Sequence, residues 1–139
     1  MIGGLAIRLL WGDVMGVGFE DLEVYQEACK LRKRIYAPAR QLPDEEKYNL
    51  VSQMRRAAVS TTNCIAEGHG SRGWKHNISY LYRSRGSLNE LLDQINCCED
   101  ENYFQEDHLA DLHQNVERVI RLINGYIRYL RNRLEENPG

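Results

Sequence analysis

Arg55, Arg56, Arg72, Lys75 and Arg83 are the side chains with the plainest chemical use in this chain. Guanidinium and ammonium groups bind phosphate, arginine through a planar fork of donors. The five gather around one apolar stretch, the loop after it and the start of the next stretch. Arg72 stands in the glycine-rich run Gly68–Trp74, GHGSRGW. Backbone amides at the following helix start can add to a phosphate site there. The run is not a P-loop, because the Gly-Lys-Ser/Thr ending is missing. Trp74 and Tyr80 or Tyr82 offer rings that can stack on unpaired bases, although such aromatics more often serve as packing. A second use of the arginines is internal. Glu67, Glu90 and Asp93 stand where Arg55, Arg56 and Arg85 can reach them across two adjacent helices, which leaves no charge for a ligand. Both uses stay open at this level.

Catalytic and metal chemistry find less to work with. The Glu-x-x-His pairs of di-iron bundles do not occur. His69 and His76 flank a loop, and His108 and His113 are five residues apart, which splays them on a helix. Ser60 and Ser87 have no base at an arguable spacing. Cys29, Cys64, Cys97 and Cys98 show no metal-finger or CxxC spacing. Free, buried thiols in a reducing cytoplasm are expected. The reading is a non-catalytic protein with no cofactor and no metal.

Charge is unevenly spread. Residues 28–85 hold 12 Lys/Arg against four Asp/Glu, whereas residues 86–117 hold nine Asp/Glu and no Lys or Arg. The sum over 139 residues is only −2. A solvated surface whose helices neutralise one another explains this pattern, and so does a basic face that meets phosphate with the acidic segment held elsewhere.

The elements that position these groups are four helices. The first runs from about Phe19 to Gln41, with two apolar faces: Leu22, Tyr25, Cys29 and Tyr36, then Val24, Ala28, Leu31 and Ile35. Two faces suggest burial on two sides. The second begins near Asp44, on the seam Val51, Met54, Ala58 and Ile65, and ends at Gly68–Gly70. The small residues Ala57, Ala58 and Ser60 permit close approach of a neighbour. The third spans about Trp74 to Glu101 along Ile78, Leu81, Leu88, Leu92 and Ile95. Gly86 in its middle implies a close helix crossing. The fourth, about Glu106 to Glu136, carries the regular stripe Leu109, Leu112, Val116, Val119, Ile123, Leu130 and Leu134, with a Glu117–Arg121 pair on its flank. No segment carries a strand signal. The expected fold is all-α, an antiparallel up-down-up-down four-helix bundle over residues 19–136. Residues 1–18, apolar and glycine-rich but too short to span a membrane, read as a flexible extension.

Several blocks recur together in one family. They are Phe19-Glu20-Asp21-Leu22, Arg55-Arg56-Ala57-Ala58-Val59-Ser60, Ile65-Ala66-Glu67-Gly68 and Gly86-Ser87-Leu88 with Glu90-Leu91. In this order and spacing the chain resembles the small four-helix-bundle proteins encoded in intervening sequences of bacterial 23S rRNA genes. Two positions depart from the family pattern: Thr62 takes the place of a proline and Cys64 that of an asparagine. The resemblance implies a homopentameric ring with a central channel. It also implies kinship with the accessory proteins of diversity-generating retroelements, which bind nucleic acid and assist a reverse transcriptase. On that footing the expected function is a cytoplasmic, oligomeric nucleic-acid-binding accessory, RNA ahead of DNA, with a reverse transcriptase or ribosomal component as further partner and no membrane. The competing expectation is a protein–protein scaffold whose acidic segment, residues 86–117, docks a basic partner.

Overall fold

In a computed structural model, residues 18–137 are described. The extension expected over residues 1–18 falls, except for Gly18, outside them. Four α-helices follow: α1 (Glu23–Arg40), α2 (Leu50–His69), α3 (Gly73–Asp100) and α4 (Glu106–Glu136). Single 3-10 turns, Phe19–Asp21 and Asp44–Glu46, precede α1 and α2. No strand occurs among the described residues, so the fold is an all-α four-helix bundle.

Two helix starts differ from the sequence reading. Phe19 opens only a 3-10 turn. Leu22 then takes an extended conformation (φ −75°, ψ 130°), is fully buried, and caps α1 from outside the helix. Asp44–Glu46 likewise form a separate turn, because Asn49 at φ −125°, ψ −97° breaks the chain before Leu50. The end of α3 is a Schellman closure. The Asn102 amide bonds the Glu99 carbonyl at 3.0 Å and the Tyr103 amide bonds that of Cys98 at 3.0 Å. Asn102 sits at φ 55°, a region asparagine tolerates better than most residues.

The core lies between the four helices. Val24, Ala28, Leu31 and Ile35 of α1 are buried, while Tyr25, Cys29 and Tyr36 form its half-exposed rim. From α2 come Leu50, Met54, Ala57, Ala58 and Ile65, with Val51 only half-buried. The α3 seam uses Leu91 where Leu92 was expected, and α4 adds Tyr126 to its aliphatic stripe. Each fully buried aliphatic side chain of this kind stabilises the fold by about 1.5–3 kcal/mol.

Each helix packs against its chain neighbours, and α1 also meets α4. Polar contacts fix the register. The Ser84 hydroxyl donates to the Thr61 carbonyl at 2.8 Å, and Ser87 donates to Ser60 Oγ at 2.9 Å. Contact positions thus fall along α2 as they rise along α3. The same holds for α1 and α4, where Glu27 meets Arg118 at 3.4 Å and Arg34 meets Asp111 at 3.6 Å.

The close approach of α2 and α3 is made by Gly68, not Gly86. A Cβ on Gly68 would stand 2.7 Å from Asn77 Oδ1 and 2.8 Å from Tyr80 Cβ. A Cβ on Gly86 would meet nothing within 4 Å, which corrects the expectation of a crossing there.

Candidate nucleic-acid interface

Arg55 and Arg56 project from the solvent-facing side of α2. Asn63 and Glu67 continue that side toward the C-terminus, and Tyr36 of α1 borders it. Together with Val59, Ser60 and Cys64 these residues line a shallow groove of about 440 Å³. Arg55 lies over the Tyr36 ring, with its guanidinium carbon 4.5 Å from the ring centre. Such stacking is worth about 0.5–1 kcal/mol at an exposed site and leaves the in-plane donors open. Arg56 behaves differently. It reaches across to α3 and pairs with Glu90 at 2.8 Å, so the internal use anticipated for this arginine is realised.

Arg83 repeats the Arg55 arrangement on α3, 5.1 Å from the centre of the Tyr80 ring. Tyr80 is itself seated against Gly68, which ties Arg83 to the α2–α3 seam. Arg72 and Lys75 are exposed beside that seam, at the α2–α3 turn. Ser71 donates its hydroxyl to the Gly68 carbonyl at 2.6 Å, closing α2. The N-cap position of α3 is Arg72, which gives no side-chain cap, and Gly73 enters the helix at φ +74°. Uncapped amides at a positive helix end suit an anion. Arg55, Arg72, Lys75 and Arg83 have no ion-pair partner among the described residues.

A second basic group was not singled out from the sequence. Arg131 of α4 and Arg85 of α3 both lie over the Tyr82 ring, at 5.4 Å and 4.9 Å. Arg133 covers Trp74 at 5.1 Å. Arg85 also donates to Asn124 Oδ1 at 2.8 Å, so it meets neither Glu90 nor Asp93. The rings of Trp74, Tyr80 and Tyr82 are half-buried under arginines rather than open for bases. The available signal was the arginine-rich end of α4, which runs beside the start of α3.

The acidic groups collect at the other end of the α2–α3 pair. Glu45, Glu46, Glu90, Asp93 and Glu101 line one cleft there. Burial, then Asp93, Asp100 and Glu46, push the Cys97 thiol above its usual range. Burial, mainly, lifts Cys98 to about 11. All four cysteines are free, but only Cys98 is buried; Cys97 is exposed and Cys29 and Cys64 are intermediate, which corrects the expectation of buried thiols. Glu117 pairs with His113 at 3.4 Å instead of Arg121. No three His, Cys, Asp or Glu side chains converge as metal ligands among the described residues. No described helix is long and apolar enough to cross a membrane.

No curated protein matches the chain. The family model described as 23S rRNA-intervening sequence protein matches residues 20–125, from the turn before α1 into α4. That span covers most of the bundle and includes Arg55, Arg56, Arg72, Lys75 and Arg83, and the chain belongs to this family.

Proposed function

We propose that this protein is a non-catalytic nucleic-acid-binding accessory, with RNA preferred to DNA, that acts in the cytoplasm as a homo-oligomer of up-down-up-down bundles. The observation that carries the reading is the state of its basic groups. Four of the five arginines and lysines singled out have no carboxylate partner among the described residues, and two of the four are held on tyrosine rings. A stacked guanidinium has already lost much of its rotamer freedom, so less is lost when it meets phosphate. The family's tie to an rRNA intervening sequence makes RNA the first ligand to test. The descending contacts between α2 and α3, and between α1 and α4, support the up-down arrangement. A ring of five copies, as the resemblance implies, would repeat the basic surface and multiply the counterions released on binding.

Binding of labelled structured RNA and duplex DNA to the intact protein, with oligomer mass measured in the same buffer, tests this. The expected result is micromolar or tighter RNA binding by an oligomer, weakening steeply with salt. No binding at low salt by an intact oligomer overturns it. The second reading, a protein scaffold, draws on the acidic cleft at the far end of the α2–α3 pair, which suits a basic partner.

A further inference from the structure

We propose that the outer face of the first half of α3, together with the last turns of α4, binds the backbone of double-stranded RNA rather than an unpaired strand. The inference deepens the nucleic-acid reading and rests on it. Two segments without carboxylates meet at this face. No Asp or Glu stands between Glu67 and Glu90, nor between Glu117 and Glu135. The fold lays the second segment beside the first. Arg85 donates to Asn124 at 2.8 Å, Arg131 lies over Tyr82, and Arg133 lies over Trp74. Contact positions rise along α4 as they fall along α3. The face is edged on the α2 side by Arg83, and on the α4 side by Arg85 and Arg131, with Lys75 exposed on the same half of α3.

Arg85 and Arg131 point most directly to an anion. Both guanidinium groups are held over the one Tyr82 ring, at 4.9 Å and 5.4 Å, and neither has an ion-pair partner among the described residues. Two like charges gathered on one ring repel each other. A phosphate between them removes that repulsion and accepts hydrogen bonds from both forks. Arg133 is set apart, because it also meets Glu136 at 3.8 Å. The rings then choose between strands and duplexes. Trp74, Tyr80 and Tyr82 each already carry a guanidinium, so this face lacks the open rings on which unpaired bases stack. What it offers is a set of positioned phosphate donors, which fix register and carry no base information. A duplex holds its phosphates in place, whereas a flexible strand must first be ordered. Paired RNA presents phosphates and 2′-hydroxyls across a wide, shallow minor groove, open to a helix face of this kind.

Fluorescence anisotropy of the full chain with a labelled RNA duplex and a labelled oligouridine of equal strand length tests the proposal across salt concentrations. The duplex should bind at least tenfold more tightly. Arg131→Gln, a change at an exposed side chain, should weaken duplex binding severalfold and flatten its salt dependence, with helical content and oligomer mass unchanged. Arg85→Gln/Arg131→Gln should weaken it more than tenfold. Oligouridine bound as tightly as the duplex overturns this inference and leaves the broader nucleic-acid reading standing. Duplex affinity and salt slope unchanged in both variants overturn the assignment to this face. Failure of the natural protein to bind either RNA at low salt removes the reading on which the inference rests, and the inference with it.

Discussion

Replacing Gly68 and Gly86 by alanine, one at a time, should move stability in opposite directions. Both glycines lie in helices, so by propensity alone each change gains up to about 1 kcal/mol. At Gly86 nothing opposes that gain, since the new methyl meets no atom within 4 Å. At Gly68 the methyl arrives 2.7 Å from Asn77 Oδ1 and 2.8 Å from Tyr80 Cβ. Tyr80 Cβ is fixed to the α3 backbone, so the helix itself must move. Asn77 is buried and donates to the Tyr126 hydroxyl at 3.1 Å, so its retreat strains a buried hydrogen bond. Overpacking of this kind costs about 1–3 kcal/mol, and Gly68 lies in the last turn of α2, where the propensity gain is smallest. The net expectation is a loss of about 1–2 kcal/mol for Gly68→Ala and a gain of about 0.5–1 kcal/mol for Gly86→Ala. At this chain length each kcal/mol moves the melting temperature by about 3–4 °C. Urea unfolding at one protein concentration reads both effects, with midpoints shifting oppositely at constant slope. A destabilised Gly86→Ala or a stabilised Gly68→Ala would refute the assignment of the close approach to Gly68.

Stability should fall in alkali. Burial raises the Cys98 thiol from 9.0 to about 11, and raises the Tyr126 hydroxyl from 10.0 to about 12 despite the Asn77 hydrogen bond that lowers it. The unfolded chain loses these protons first, so the protection is complete below about pH 9 and is lost as pH rises through the folded values, at up to about 1.4 kcal/mol per pH unit for each group. Because the Cys97 thiol is raised from 9.0 as well, unfolding curves for the Cys97→Ala/Cys98→Ala double variant should show the decline starting about one pH unit later; an unchanged onset would remove the two thiols from the account. The Arg56–Glu90 pair, with side chains 60% and 47% exposed, should give a double-mutant coupling of only about 0.2–1 kcal/mol, fading near 1 M salt. A coupling above about 2 kcal/mol would show that the pair is not screened by solvent.

Helix number, helix type and most core residues were legible because apolar residues recur at helical spacing over long stretches. Helix starts were less so. Leu22 and Asn49 leave the helical conformation for local reasons, burial of one side chain and a backbone break, that periodicity does not carry. Gly86 misled because a glycine shows no face of its own. It lies about 200° around α3 from Ser84, which contacts α2, at 100° per residue. For Glu117, residues four before and four after are both in reach, and spacing alone does not choose His113 over Arg121. The candidate site was half legible. Basic residue types and their clustering stand in the sequence, but which arginine meets a carboxylate depends on the α2–α3 register, which gave Glu90 to Arg56, and the stacking of Arg55 on Tyr36 depends on how α1 lies against α2. The Arg131–Tyr82–Arg85 stack depends in the same way on how α4 lies against α3.

The most direct measurement is the salt dependence of RNA binding by the natural protein and by a variant with Arg55, Arg72, Lys75 and Arg83 changed to glutamine, matched for helical content and oligomer mass. The slope of log affinity against log salt should flatten by about 0.7–0.9 for each phosphate that is no longer neutralised, together with a drop in affinity of at least two orders of magnitude at low salt. Equal slopes and equal affinities for the two proteins would contradict the assignment of this surface to nucleic acid.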